Sequence, residues 1–306
     1  MARIAYLGPE GTFTEAALLK MAAAGAIPGG GDVTPQPTDN TPAALAAVRA
    51  GSAEFACVPI ENSIDGTVLP TLDSLATGTP LQIYGELTLD VAFSIVTRAD
   101  RGAEPVRTVA AFPVAAAQVR GWLAENLPAA EIVPSNSNAA AAQDVAAGRA
   151  DAGVSTALAA LRYGLATLAE GVVDEPNART RFVLVGTPGP PPARTGADRT
   201  SVVLRIDNAP GALVSAMTEF GIRDIDLTRI ESRPTRTELG TYIFFLDCVG
   251  HIDDNAVAEA LKALHRRCTD VRFLGSWPTG SATGAVPPQL DEADRWLQRL
   301  RRGDGS

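Results

Sequence analysis

Three polar segments interrupt apolar runs ahead of residue 187, and they hold the side chains of this chain best suited to chemistry. They are Gly8-Pro9-Glu10-Gly11-Thr12-Phe13-Thr14, Pro59-Ile60-Glu61-Asn62-Ser63-Ile64-Asp65-Gly66-Thr67 and Asn177-Ala178-Arg179-Thr180-Arg181-Phe182. Each falls at a predicted strand end, where open α/β sheets build their ligand crevices. In the first, two glycines let the backbone approach a ligand while Thr12 and Thr14 stand at a helix start, the outline of an anion site. The same residues also make a strand-to-helix turn with threonine caps. Glu61, Asn62 and Ser63 follow a short apolar strand, either as ligand contacts or as a cap or Asx turn. Thr180 and Arg181 lead into the strand Phe182-Val183-Leu184-Val185, where the arginine is either a rim ion pair or a planar fork for a carboxylate.

What is missing narrows the chemistry. Both histidines, His251 and His265, lie far from the three segments in sequence, in a second predicted domain, so no Ser-His-Asp, Cys-His or histidine metal site forms in the first. Neither GxGxxG nor GxxxxGK[ST] occurs, which removes the usual nicotinamide and nucleotide fingerprints. Cys57, Cys248 and Cys268 are widely spaced without a CxxC pair and read as buried thiols. Chemistry in the cleft is left to hydroxyls, amides, carboxylates and arginine, with no metal and no cofactor. A formal net charge of −9 without a dense Lys/Arg cluster would repel nucleic acid or an anionic membrane, so neither is expected as a partner. An anionic metabolite stays compatible, because a cleft can be locally positive. The run Met1 to Gly8 is too short in apolar residues for a signal peptide, and no window approaches the ~20 apolar residues of a membrane span. A cytoplasmic protein is expected.

The elements that must position these segments follow from length and periodicity. A chain of 306 residues exceeds one ordinary core, and 46% hydrophobic with 20% charged residues is globular composition. Apolar runs at 3–7, 55–60, 82–84, 87–96, 107–112, 131–133, 151–154 and 181–185 predict strands. They alternate with helical stretches near 14–24, 42–50, 67–77, 114–126, 138–147 and 156–162, the pattern of an α/β domain. The proline-rich run from Thr187 to Arg194 cannot sustain ladder hydrogen bonding and marks a linker over 188–199. Beyond it come strand 200–206, helix 211–220, strands 225–231 and 240–248, helix 254–267 and strand 271–274. That βαββαβ order predicts a ferredoxin-like α+β sandwich over 200–277. A Gly/Pro/Ser-rich stretch then precedes an amphipathic helix in the remaining segment, 278–306. In it Leu290, Ala293, Trp296, Leu297 and Leu300 form a stripe expected to pack on the protein or on a second subunit.

Taken together, Tyr6 to Thr14, Pro59 to Ser63 with Gly66, and Thr180-Arg181-Phe182 resemble, in order and spacing, the signatures of the prephenate dehydratase family over about residues 3–275. Asn208-Ala209-Pro210-Gly211-Ala212-Leu213 and Glu231-Ser232-Arg233-Pro234 resemble the phenylalanine-binding motifs of that family's ACT regulatory domain. The resemblance implies a two-lobed α/β catalytic domain over 1–187, like a type II periplasmic binding protein. One lobe is expected from about 1–80 plus 170–186 and the other from about 81–169. It also implies decarboxylating dehydration of prephenate to phenylpyruvate, water and carbon dioxide, feedback regulation by L-phenylalanine, and a homodimer or homotetramer.

By motif, Thr180 is the essential threonine, Arg181 and Phe182 complete its motif, and Thr12, Asn62 and Ser63 line the cleft. Ser137 fits the family's serine-containing helix start in the other lobe. Gly211, Ala212, Leu213 and Val214 with Glu231, Ser232, Arg233 and Pro234 are the expected effector residues. Thr180 would hydrogen-bond the leaving hydroxyl, while Arg181 and the amides after Gly8 hold carboxylate charge. The segment Ala111-Phe112-Pro113-Val114 departs from the histidine-proline-containing segment of many relatives and reads as a strand end and helix start only. The strand at 3–7 leaves no room ahead of it for a helical chorismate mutase domain, so a monofunctional enzyme is expected. Two other readings share the lobes. One is a non-enzymatic binding protein, which would bring an export signal or a DNA-binding helix-turn-helix. The other is arogenate dehydratase, the same reaction on the transaminated substrate.

Overall fold

In the computed structural model, which describes residues 1–102, 104–235, 240–279 and 291–303, the chain lays down one sheet, crosses to a second and returns. The first part comprises β1 (Ala2–Leu7), α1 (Phe13–Ala23), β2 (Val33–Thr38), α2 (Thr41–Arg49), β3 (Phe55–Asn62), the short β4 (Gly66–Thr67), α3 (Leu69–Ala76) and β5 (Gln82–Asp90). The second sheet is built by β6 (Phe93–Arg98), β7 (Thr108–Ala111), α4 (Pro113–Gln118), α5 (Arg120–Asn126), β8 (Glu131–Pro134), α6 (Asn138–Ala146), β9 (Ala152–Ser155), α7 (Ala157–Arg162) and β10 (Leu165–Val172). The chain then re-enters the first sheet as β11 (Arg179–Gly186).

The two strand orders are β2-β1-β3-β11-β5 and β10-β6-β9-β7-β8. Each sheet carries the helices of its own lobe, giving the two-lobed, periplasmic-binding-protein-like α/β arrangement that the resemblance implied. The two crossings between the sheets are tied to each other, the Val91 N–H donating to the Ala178 carbonyl at 2.7 Å. The exchange point lies later than expected. The strand over 82–90 stays in the first sheet, so the second lobe starts near Phe93 rather than at 81, and β10 carries it to Val172 rather than to 169. The apolar run 87–96 is accordingly two strands, broken at the crossing.

β2, Val-Thr-Pro-Gln-Pro-Thr, carries no apolar signal, and its prolines argue against a strand in sequence. It survives because it lies at the sheet edge, where a missing ladder donor is tolerated. Ile4, Tyr6, Leu18, Leu45, Val58 and Ile60 bury the first lobe's core. Phe93, Ile95, Val109, Val119 and Val154 bury the second lobe's, on the sheet face covered by α4 and α5. The stretch read as one helix over 114–126 is two, with Val119 at the junction in a non-helical conformation.

The chain divides into two compact units, Met1–Ser74 with Leu87–Val185, and Leu75–Glu86 with Gly186–Ser306. The second unit holds β12 (Asp198–Arg205), α8 (Ala212–Gly221), β13 (Leu227–Pro234), β14 (Tyr242–Val249), α9 (Asn255–Arg267) and β15 (Asp270–Pro278), in the expected βαββαβ order. Its antiparallel sheet runs β13-β14-β12-β15 and buries Val202, Leu204, Leu246, Phe220, Val257 and Leu264 between sheet and helices. Charge is buried here too. Arg229 grips Asp247 with two hydrogen bonds of 2.9 and 2.8 Å, Arg199 lies 3.6 Å from Asp247 and 3.4 Å from Glu86, and the Trp277 indole donates to Glu86 at 3.0 Å.

Finally α10 (Asp291–Arg302) forms as predicted, and Trp296, Leu297 and Leu300 are exposed in the single chain, so they do not pack on the protein itself. Leu290 and the Ala293 side chain lie outside the described residues. Among the described residues no helix is long and apolar enough to cross a membrane. Cys57 and Cys248 are buried and burial pushes each thiol up to about 12, which removes them as nucleophiles, whereas Cys268 is only partly buried.

Candidate active site

Strand ends of both lobes open onto a cavity of about 1360 Å³ within the first unit. From the first lobe it is lined by Leu7 to Glu10, Thr12 to Thr14, Pro37 to Asp39, Pro59, Asn62, Asp65 to Pro70, Thr180 and Phe182. Phe112, Val114, Asn136 to Asn138, Ala140, Gln143 and Tyr163 line it from the second. β1, β2, β3, β7 and β8 all end at this cavity, which is where helix N-termini and loops leave polar groups free for a ligand.

At its floor β3 and β11 lie side by side, and the Asn62 carboxamide donates to the Thr180 hydroxyl at 2.9 Å. The direction of that bond is fixed by the other half of the amide. Asn62 Oδ1 accepts the backbone N–H groups of Ile64 at 2.8 Å and Asp65 at 3.0 Å, an Asx turn that leaves only the NH₂ group facing Thr180. With a lone pair of its oxygen so occupied, Thr180 has its own O–H to offer a ligand. Thr180 is buried to 8% exposure but lines the cavity, with the Phe182 ring beside it on the same strand face.

Strand alternation sends Arg181 to the opposite face. It is buried to 6%, is absent from the cavity lining, and pairs with Glu61 at 3.0 Å. Glu61 and Asn62 alternate in the same way on the neighbouring strand. Arg181 therefore does not supply the carboxylate fork expected of it; it braces the strand pair behind the floor. Ser63 also departs from expectation, for it is not among the lining residues. Its hydroxyl donates to the Asn177 carbonyl at 3.1 Å and accepts the Arg179 N–H at 2.8 Å, while its own N–H donates to the Arg179 carbonyl at 2.8 Å. It is a clasp that holds the Asn62 turn against the start of β11.

Thr12 and Ser137 do reach the cavity, each as the N-cap of a helix. Thr12 Oγ1 accepts the Glu15 N–H at 3.3 Å and donates to the Leu7 carbonyl at 2.9 Å, and Ser137 Oγ accepts the Ala140 N–H at 2.9 Å. The cap reading holds for both, and it sets the positive ends of α1 and α6 at the cavity from opposite lobes. Among the described lining residues none is Lys, Arg or His, while Glu10, Asp39 and Asp65 are acidic. Of the amides after Gly8, Pro9 has none and that of Gly11 donates to Glu15. The polar groups that the lining does offer are helix ends, hydroxyls and carboxamides.

Phe112 and Val114 are more than a strand end and helix start. Both face the cavity and, with Phe13 and Phe182, give it apolar walls. Asn136, Gln143 and Tyr163 were not foreseen as lining residues; only the predicted helix starts at 138 and 156 pointed near them.

In the second unit Gly211 precedes α8 with φ of +80°, a conformation that favours glycine, and Val214 in the first turn is exposed. Glu231 to Pro234 end β13, the edge strand of that sheet.

A family model for prephenate dehydratase matches residues 4–190, and one for the ACT domain matches residues 200–266. A prephenate dehydratase of Mycolicibacterium smegmatis is 76% identical over all of this chain and 99% of its own length. One from Mycobacterium sp. (strain JLS) is 75% identical over 99% of this chain and 97% of its own. A crystal structure of prephenate dehydratase from Arthrobacter aurescens in complex with L-Phe superposes with a TM-score of 0.86 at 41% identity, covering 98% of this chain and 99% of that one. Length, motifs, lobes and relatives agree from end to end: the chain belongs to the prephenate dehydratase family and carries a C-terminal ACT domain.

Proposed function

We propose that the cavity binds prephenate and converts it to phenylpyruvate, water and carbon dioxide, with Thr180 as the catalytic hydroxyl. Prephenate carries a hydroxyl and a carboxylate on opposite positions of a cyclohexadiene ring. When the ring-to-carboxylate bond breaks, its electron pair moves through the ring, the opposite C–O bond breaks, and an aromatic ring results. The departing oxygen needs a proton or a strong hydrogen bond, and orientation must leave the ring carboxylate free to depart. The observation that supports this reading is the Asn62 to Thr180 hydrogen bond, in which the threonine oxygen accepts, so that its own O–H is the group it can offer a ligand in the cavity it lines. A threonine is a weak acid, so its contribution is a hydrogen bond that strengthens as negative charge grows on the leaving oxygen.

Phe13, Phe112 and Phe182 provide the ring's apolar surroundings. The α1 and α6 N-termini, with Thr12, Ser137 and Asn138, are the groups suited to carboxylates. Purified protein should form phenylpyruvate from prephenate, and a side-by-side rate on arogenate decides between the two substrates. No phenylpyruvate from well-folded protein would refute the reading.

L-Phenylalanine is proposed as the feedback effector at Gly211–Val214 and Glu231–Pro234, supported by the ACT match and by the L-Phe complex of the Arthrobacter relative. The edge position of β13, with Ile230 exposed, suits a homodimer or homotetramer joined through these sheets. A cytoplasmic location goes with a biosynthetic role.

A further inference from the structure

Residues 10–12, which bring the α1 N-terminus to the cavity, are held from the second lobe by α7. The Thr156 hydroxyl, at the α7 N-cap, donates to the Gly11 carbonyl at 2.6 Å. The Tyr163 hydroxyl donates to the Glu10 carbonyl at 3.0 Å and accepts from Gln143 at 2.9 Å. Gly11, with φ of +89°, lies so close to α7 that a β-carbon there would come within 2.8 Å of the Ala159 side chain. Between these contacts sits a charge pair whose carboxylate is buried. Glu15, in the first turn of α1 and 1% exposed, accepts the Gly11 N–H and the guanidinium of Arg162.

A carboxylate at that place favours the helix but opposes an anionic ligand at the same helix end, where the N-terminal field is worth only a modest amount. The cavity lining contains no cationic side chain among the described residues to compensate. We propose that Arg162, from outside the cavity and through Glu15, is a positioning residue for prephenate binding: it cancels the Glu15 charge and so keeps the α1 N-terminus attractive to a substrate carboxylate. The inference rests on prephenate occupying this cavity. Arg162 is partly exposed, so its replacement opens little of the core, whereas the buried Glu15 carboxylate would be left without its counter-charge at the helix end.

The test is steady-state kinetics on prephenate, with parent and variants compared at one fixed, mildly alkaline pH. R162M should raise KM by roughly three- to thirtyfold, the factor expected of a charge at a helix end, with kcat within about twofold of the parent. R162K should keep KM near the parent value. The double variant E15Q/R162M, which removes both charges and retains an acceptor for Gly11, should bring KM back towards the parent although one partner more is missing. An unchanged KM in R162M, or a double variant no better than R162M alone, overturns the proposal. A fall in thermal stability with unaltered KM would also overturn it by making the pair merely structural. Turnover of prephenate by the parent protein in the same assay separates failure of this inference from failure of the substrate assignment.

Discussion

The Thr180 hydroxyl accepts a hydrogen from the Asn62 carboxamide at 2.9 Å, and the amide can make that bond only as donor because its oxygen is held by the N–H groups of Ile64 and Asp65. Two strands and one turn, brought together from positions 118 residues apart, thereby supply the Thr180 oxygen with one donor.

Replacing Asn62 by Asp keeps an acceptor for the turn but puts a carboxylate oxygen where the donor stood. The Thr180 proton then turns towards residue 62 and away from the ligand. N62D should lose roughly 10²-fold in kcat, the scale of one lost transition-state hydrogen bond, with a melting temperature near the parent's. Near-normal kcat in folded N62D would remove the orienting role.

T180A should fall by roughly 10²-fold or more in kcat, while T180S, which retains the hydroxyl, should keep most of it. KM should move less than kcat, since the bond strengthens mainly in the transition state. Equal losses in the serine and alanine variants would show that the hydroxyl is not the working group.

Arg181, turned away from the cavity and paired with Glu61, should act on stability. R181M is expected to cost about 1–3 kcal/mol in denaturant unfolding, as for lost hydrogen bonds to a charged group, with KM for prephenate unchanged. A raised KM at unchanged stability would restore the carboxylate-fork reading.

Asp151 joins β9 to β7, and the backbone N–H of Arg107 at 2.8 Å, followed by that of Thr108 at 3.0 Å, holds its carboxyl below the usual aspartate range despite partial desolvation. A lowered folded-state pKa means that its stabilising contribution is complete above the unfolded value of about 4 and is lost as pH falls through the folded one. D151N should flatten that acid-side part of the stability curve, measured by unfolding between neutral and strongly acidic pH. An acid limb identical to the parent's would dismiss the coupling.

Gly211→Val should weaken L-phenylalanine by about tenfold or more, the factor carried by ~1.4 kcal/mol, because a β-branched residue disfavours φ of +80° at the helix start. Calorimetry on the full chain reads the affinity directly. Undiminished binding would move the effector site away from α8.

The sequence alone determined the class of chemistry and the order of the parts. With no histidine near the three motifs, only hydroxyls, amides, carboxylates and arginine remained, and the proline run from Pro188 to Pro192 separated an α/β domain from a βαββαβ one. Those features are local, written in composition and period. Thr12, Asn62, Thr180 and Ser137 were legible because motif residues at strand and helix ends recur with the motif. What tertiary structure decided is which face of each strand meets the ligand. The motif was expected to offer both Thr180 and Arg181 to the ligand; strand alternation separates them, and the pairing of β11 with β3 shows that the face of Thr180 and Phe182 is the one that meets the cavity. Likewise, Arg162 and Glu15 stand 147 residues apart, each an ordinary surface charge in its own helix pattern. Their meeting depends on how α7 packs against the α1 loop, and no local pattern records that.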